Sequence, residues 1–277
     1  KCVREKECKI KPTRKIYAVD LFCGAGGLTH GLQNAGITVS AGIDLDPNCQ
    51  YPYEQNNDAK FFEKSVTELQ PNDILPFYCK HSFQLLAGCA PCQTFSTYNL
   101  KARTVAKKDN KWFLLLEFAR LINDILPEFV TMENVPGLAK QDVFDKFIQT
   151  LQDNGYYFSY EIVPCHEYGI PQKRRRLVLL ASKLGAIKLL TPEEFGAKKK
   201  TVADVLKALP PLRAGEKSTN DPLHRCSRLS PLNLKRIRAS KPGESWRSWP
   251  KELIADCHKK DSGQSYGSVY GRMTWDE

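Results

Sequence analysis

Ile16-Tyr17-Ala18-Val19-Asp20-Leu21-Phe22-Cys23-Gly24-Ala25-Gly26-Gly27-Leu28 is the stretch that decides the fold. A short apolar run, a glycine-rich bend and the start of a second periodic segment follow one another without a spacer. Residues 16–22 read as a buried strand, and a helix is expected over 28–34. The glycines let the backbone bend sharply and approach a ligand closely, with a plain tight turn as the alternative. An acid, Asp44, closes the next predicted strand about twenty residues later, where a carboxylate can bind the two hydroxyls of a ribose. The glycines lack the spacing of a nicotinamide-type fingerprint, so an adenosine cofactor without a pyrophosphate fits better.

Outward from this stretch the same rhythm repeats. Strands are expected at 38–43, 83–87, 129–132, 157–163 and 176–181. Helices are expected after Pro47, over 112–125 and over 143–152. Strands alternating with helices imply an α/β fold with a mostly parallel, doubly wound sheet. In such sheets ligands gather at the carboxyl ends of the strands. The glycine loop, Asp44, Cys92 and Glu133 all fall at or just after such an end.

Residues 1–15 are polar and charged and read as a flexible lead-in to a catalytic and cofactor-binding domain over 16–182. After Ser182 the rhythm breaks. Pro, Gly, Ser and basic residues take over, with Lys198-Lys199-Lys200, Pro210-Pro211 and Ser245-Trp246-Arg247-Ser248-Trp249. A second, smaller domain is expected over 183–270, with 271–277 starting a return to the first. There is no internal repeat.

The charge is lopsided. Residues 1–170 hold 18 Lys and Arg against 20 Asp and Glu, whereas residues 171–277 hold 23 against 11. A basic half behind a near-neutral half suggests a nucleic-acid-facing surface beside a catalytic core, the alternative being a solvated basic face. No signal-like start and no apolar run long enough for a bilayer are present, so a soluble cytoplasmic protein without membrane contact is expected. The ten cysteines are irregularly spaced in a chain too large to need staples, so reduced thiols are expected.

Three further motifs carry chemistry. Ala87-Gly88-Cys89-Ala90-Pro91-Cys92-Gln93-Thr94-Phe95-Ser96 places two cysteines in a C-x-x-C after a strand. A thioredoxin-like pair normally opens a helix early in a small domain, so the redox reading is disfavoured. Cys165-His166 and Cys257-His258 lack finger spacing, and no metal site is expected. Met132-Glu133-Asn134-Val135 ends an apolar run; a carboxylate in a pocket there can keep a proton at neutral pH, an exposed acid being the alternative. In Gly169-Ile170-Pro171-Gln172-Lys173-Arg174-Arg175-Arg176, Arg174 and Arg176 stand at alternate positions entering a strand and should face one side. Their donor forks suit a carbonyl or phosphate oxygen, and a plain basic edge strand is the alternative.

As an ordered set, from about Val19 to Ala181 with an echo at Arg272–Asp276, these motifs closely resemble the DNA (cytosine-5)-methyltransferases of bacterial restriction–modification systems. The resemblance implies a Rossmann-like catalytic domain with a smaller DNA-recognition domain. It implies S-adenosyl-L-methionine as methyl donor and S-adenosyl-L-homocysteine as product. Phe22, Gly24 and Gly26 would form the cofactor loop, Asp44 would bind the ribose, Leu45 would pack on the adenine and Leu114 would line the pocket. Ser65 stands where many relatives carry an acid that contacts the adenine amine. Cys92 would be the nucleophile, Glu133 would hold N3 of the cytosine, and Arg176 with Arg174 would neutralise its O2 side. Pro91, Gln93, Ser96 and Asn134 would contact substrate or DNA. Residues 93–111, with Lys101, Arg103, Lys107, Lys108 and Lys111, would close over the phosphates.

The implied partner is double-stranded DNA, met by a monomer. A cognate restriction endonuclease would belong to the same system without a stable complex, and the protein would work in the bacterial cytoplasm, on the nucleoid. A tRNA cytosine-5 methyltransferase and an inactive nucleic-acid-binding fragment are the rivals. Relatives continue past the Trp275-Asp276 region into a segment that completes the cofactor domain. This chain stops at Glu277 and begins without methionine, so a fragment, a truncated form or half of a split enzyme is expected.

Overall fold

The structure is a computed structural model that describes residues 14–91, 113–264, 267 and 269–276. Cys92, Gln93 and Ser96, and the basic residues expected to close over phosphates, lie outside the described residues. Two compact units are present, one of Lys1–Val163 with Arg175–Leu190, the other of Pro164–Arg174 with Thr191–Glu277. The sequence suggests boundaries at 183 and 271, whereas the contacts divide the chain near 190 and group 164–174 with the C-terminal residues.

The first unit is the α/β sheet domain. In chain order it runs β1 (Ile16–Leu21), α1 (Gly27–Asn34), β2 (Thr38–Asp44), α2 (Gln50–Asn56), β3 (Lys60–Glu63), α3 (Pro71–Ile74), β4 (Phe83–Gly88), α4 (Phe113–Ile125), β5 (Phe129–Asn134), α5 (Asp142–Asp153), β6 (Tyr157–Pro164) and β7 (Arg175–Ser182). The seven strands lie in the order β3-β2-β1-β4-β5-β7-β6. β1 runs parallel to β2 and β4, β2 to β3, and β4 to β5, while β7 is antiparallel to β5. The chain moves outward from β1 in one direction and then starts again on its other side with β4. That reversal is where an open α/β sheet offers a crevice at its strand ends.

The sequence forms this sheet for a simple reason. Ala18, Val19, Asp20 and Leu21 are all buried, as a central parallel strand covered on both faces requires. Alternate side chains serve opposite faces. Val19 and Leu21 join a large core with Leu86, Met132, Phe118 and Phe147, whereas Ala18 packs with Val39, Leu85 and Leu32. Helices α4 and α5 supply the large core, and their Phe118 and Phe147 rings meet edge to face at 5.4 Å. Each fully buried aromatic or leucine stabilises the unit by roughly 1.5–3 kcal/mol. β3 was not expected: Lys-Phe-Phe-Glu is too short to show an alternation. Among the described residues, no helix is long and apolar enough to cross a membrane.

Among its described residues, the second unit has short helices α6 (Pro192–Phe195), α7 (Val202–Leu206), α8 (Pro231–Ala239) and α9 (Asp256–Lys259), and an isolated bridge between Lys217 and Arg225. Its centre is aromatic. Trp246 stacks on His258 at 4.4 Å, and both are buried. Trp249 Nε1 donates to Ser240 Oγ at 2.7 Å, and Ser240 Oγ donates to the Tyr270 carbonyl at 2.9 Å. The tryptophan segment that breaks the sheet rhythm is therefore the core of this unit.

Candidate active site

Five parallel strand ends present the predicted site residues along one edge of the sheet. After β1 the backbone turns through Phe22, Gly24 and Gly26, all with positive φ (58°, 50° and 90°). The two glycines do different work. A Cβ on Gly26 would stand 2.2 Å from Asn57 Nδ2 and 2.8 Å from the Tyr53 ring, so the back of the loop needs glycine for close packing. At Gly24 nothing lies within 4 Å of that point, so the front of the loop is an open cradle. Asp44 ends β2 and accepts from Gly24 N at 2.9 Å through Oδ2 and from Asp46 N at 3.0 Å through Oδ1. Each oxygen keeps a second lone pair for a ligand hydroxyl. Leu45 beside it is 66 % exposed. Ser65 follows β3, and its hydroxyl meets Thr67 Oγ1 at 2.7 Å. Leu114 is half-buried in the first turn of α4. An open glycine cradle, a strand-end carboxylate and an exposed leucine fit an adenosine-bearing cofactor.

Beneath the cradle lies a group that the sequence reading passed over. Asp20 is fully buried on β1; its Oδ2 accepts from Thr29 Oγ1 at 2.8 Å, and Thr29 Oγ1 lies 3.0 Å from the Tyr53 hydroxyl. Asp20 Oδ1 is buried without a partner among the described residues. Burial pushes the Asp20 carboxyl from 3.8 up to about 7, against the Thr29 hydrogen bonds and with a smaller push from the Asp44 charge. A charged residue inside the apolar run of β1 was the signal that could have found it.

On the other side of β1 the chemistry gathers at β4 and β5. Glu133 is the fifth residue of β5, and its Oε1 pairs with Arg176 Nε at 2.6 Å. Arg176 reaches it because β7 runs antiparallel beside β5, with Glu133 opposite Val178 and Asn134 opposite Leu177. The second carboxylate oxygen of Glu133 accepts from Cys89 Sγ at 2.8 Å. Pro91 is exposed just beyond β4. Asn134, expected among the substrate contacts, is buried and braces the loop: its Nδ2 donates to the Ala90 carbonyl at 2.9 Å and its Oδ1 accepts from Val135 N at 2.8 Å. Arg174, expected to share a face with Arg176, precedes β7, belongs to the other unit and is exposed; its carbonyl accepts from Cys165 N at 2.7 Å. The alternation fails because the strand begins only at Arg175.

In the second unit, Lys198, Lys199, Arg225, Arg228 and Arg238 are exposed. Arg236 differs: its Nε donates to the Leu253 carbonyl at 2.8 Å and its Nη1 to Asn233 Oδ1 at 3.1 Å, so it holds the fold together. Among the described residues, Cys23, Cys49, Cys79, Cys226 and Cys257 are free thiols.

Comparison with known proteins agrees with this fold. The described fold resembles a prophage-encoded DNA modification methyltransferase of E. coli, with a TM-score of 0.60 and 22% identity over 80% of this chain and 64% of that one. It also resembles the Entamoeba histolytica methyltransferase EhMeth, with a TM-score of 0.55 and 21% identity over 69% of this chain and 59% of that one. In sequence, the chain is 50% identical over 262 residues to the Type II methylase M.HgiDII of Herpetosiphon aurantiacus, covering 94% of this chain and 73% of the relative. It is 30% identical to the Type II methyltransferase M.XorII of Xanthomonas oryzae pv. oryzae, covering 72% of this chain but only 47% of the relative. The chain thus spans about half to three quarters of the length of these curated relatives. Residues 16–277 match the model of one family along their whole length, and the chain belongs to it: the C-5 cytosine-specific DNA methylases.

Proposed function

We propose that the protein transfers a methyl group from S-adenosyl-L-methionine to C5 of a flipped-out cytosine in a specific double-stranded DNA sequence, through a covalent Cys92–C6 intermediate. The observation that carries this reading is the Glu133–Arg176 pair at the end of β5. It stands one strand from the Pro91 loop and two strands from the glycine cradle.

Cytosine C5 is a poor nucleophile. Addition of the Cys92 thiolate to C6 breaks the C5–C6 π bond and pushes its electrons onto C5, dividing one hard step into easier ones. The developing charge spreads to N3 and O2. Glu133 holds the proton at N3, and the Arg176 guanidinium neutralises O2. The cofactor, when bound, supplies an electrophilic methyl group. Phe22, Gly24 and Gly26 would form its loop, Asp44 would take its ribose hydroxyls, and Leu45 and Leu114 would cover its adenine. After methylation the C5 proton is lost and Cys92 is eliminated, which restores the aromatic ring. Reaching C5 and C6 inside a duplex is impossible, so the base must leave the stack.

Residues 183–270 are the proposed DNA-reading part, with the exposed Lys198, Lys199, Arg225, Arg228 and Arg238 as phosphate contacts. The type II names of the relatives support a restriction–modification setting; the proposal adds a bacterial cytoplasmic location and a cognate endonuclease that shares the target sequence and needs no stable complex. Methylation-sensitive sequencing of DNA from cells with and without the gene would identify that target. Duplex DNA carrying 5-fluorocytosine there should then trap Cys92, because fluorine cannot leave C5 as a proton. The adduct should survive a denaturing gel. An active preparation that forms none, or an adduct that persists in Cys92→Ser, refutes the covalent route.

A further inference from the structure

We infer that Cys89 is a positioning residue whose thiol fixes the carboxylate of Glu133 in the orientation the reaction uses; the inference rests on the proposed role of Glu133 at N3. Cys89 follows β4, and its backbone N–H donates to the Leu21 carbonyl at 3.3 Å, which ties it to the end of β1. The residue before it is closely packed: a Cβ on Gly88 would meet the Phe118 ring at 2.9 Å and Leu21 at 3.3 Å. From this fixed base Cys89 Sγ reaches Glu133 Oε2 at 2.8 Å, while Arg176 Nε holds Oε1 at 2.6 Å. A carboxylate gripped at one oxygen can still turn about its last carbon–carbon bond. One gripped at both oxygens by groups on β4 and β7 cannot. The neighbouring Asn134–Ala90 hydrogen bond, at 2.9 Å, ties the end of β5 to the residues just after β4.

The choice of a thiol has a chemical consequence. Sulfur is a weak donor, so it orients the carboxylate without competing strongly with an incoming ring nitrogen. The C-x-x-C spacing invites a redox role for Cys89, but the geometry gives its thiol a carboxylate partner. The inference therefore concerns orientation and involves no change in oxidation state.

The test compares Cys89→Ala and Cys89→Ser in the full chain. Alanine should lower kcat for DNA methylation about fivefold, the factor that one ordinary hydrogen bond is worth, and leave KM for DNA and for S-adenosylmethionine unchanged. Serine, which keeps a donor, should return kcat to the wild-type range. Equal rates for alanine and wild type, equal losses for both variants, or a loss confined to KM would overturn the role. A second measurement needs no activity. Alkylation of Cys89 by iodoacetamide, followed by peptide mass mapping, should speed up in Glu133→Gln, because the carboxylate opposes the thiolate that reacts. An unchanged rate would overturn the contact itself. A wild-type chain that methylates no DNA would overturn the functional reading and this role with it, whereas an active enzyme indifferent to alanine overturns this role alone.

Discussion

Replacing Asp20 with Asn should change how stability depends on pH, in a direction the buried site dictates. In the folded protein the carboxyl titrates at about 7, against 3.8 for the unfolded chain, because burial disfavours its charged form. Between these values the folded state holds a proton that the unfolded state has lost. Stability therefore falls as pH rises from about 4 to about 7 and is unaffected by this group outside that window. Asn is the shape of the protonated acid and never ionises, so it removes the fall. The window spans about three pH units at about 1.4 kcal/mol each, so Asn should gain at most about 4 kcal/mol over Asp by pH 7, having started near parity at pH 4. The Thr29 hydroxyl can still donate to an amide oxygen, so the variant keeps the hydrogen bond that Asp20 makes at 2.8 Å. Urea unfolding of both proteins at half-unit steps from pH 4.5 to 8 would measure the difference. A gap between the two that stays constant with pH would refute the reasoning. So would a gap that favours Asp as pH rises, since Asp20 would then be a stabilised anion.

The glycine loop makes two contrasting predictions. Gly26→Ala combines positive φ with a clash against Asn57 and Tyr53, and should cost more than about 2 kcal/mol in a denaturant melt, whereas Gly24→Ala should cost about 1 kcal/mol. Gly24→Ala should nevertheless lose S-adenosylmethionine affinity by calorimetry, because its methyl group enters the open cradle. Asp44→Ala should weaken the same binding by about ten- to a hundredfold; an unchanged affinity would place the ribose elsewhere. Trp249→Phe should lower the stability of the second unit by about 1 kcal/mol through the lost indole hydrogen bond to Ser240, read as a shift in its thermal melt.

What the sequence by itself determined is what local patterning can carry. A buried apolar run over 16–22, a glycine bend, and helical spacing over 112–125 and 143–152 are periodicities of a few residues. They placed β1, β2, β4, β5, β6, β7, α1, α2, α4 and α5 and made the parallel α/β sheet legible. Because parallel strands all point one way, they also made it legible that the loop at Phe22–Gly26, Asp44, Pro91 and Glu133 share an edge. The remaining assignments needed the tertiary structure, because they depend on pairs distant in the chain. Cys89 and Glu133 are 44 residues apart, as are Asn134 and Ala90, and nothing local reveals that either pair bonds. The antiparallel insertion of β7 beside β5 brought Arg176 onto Glu133 and left Arg174 outside the strand. Nothing local reveals that Arg236 is bonded into the fold of its unit or that Trp246 and Trp249 form its core. A side chain's identity fixes which bonds it can make, and only the folded chain decides which partner arrives to make them.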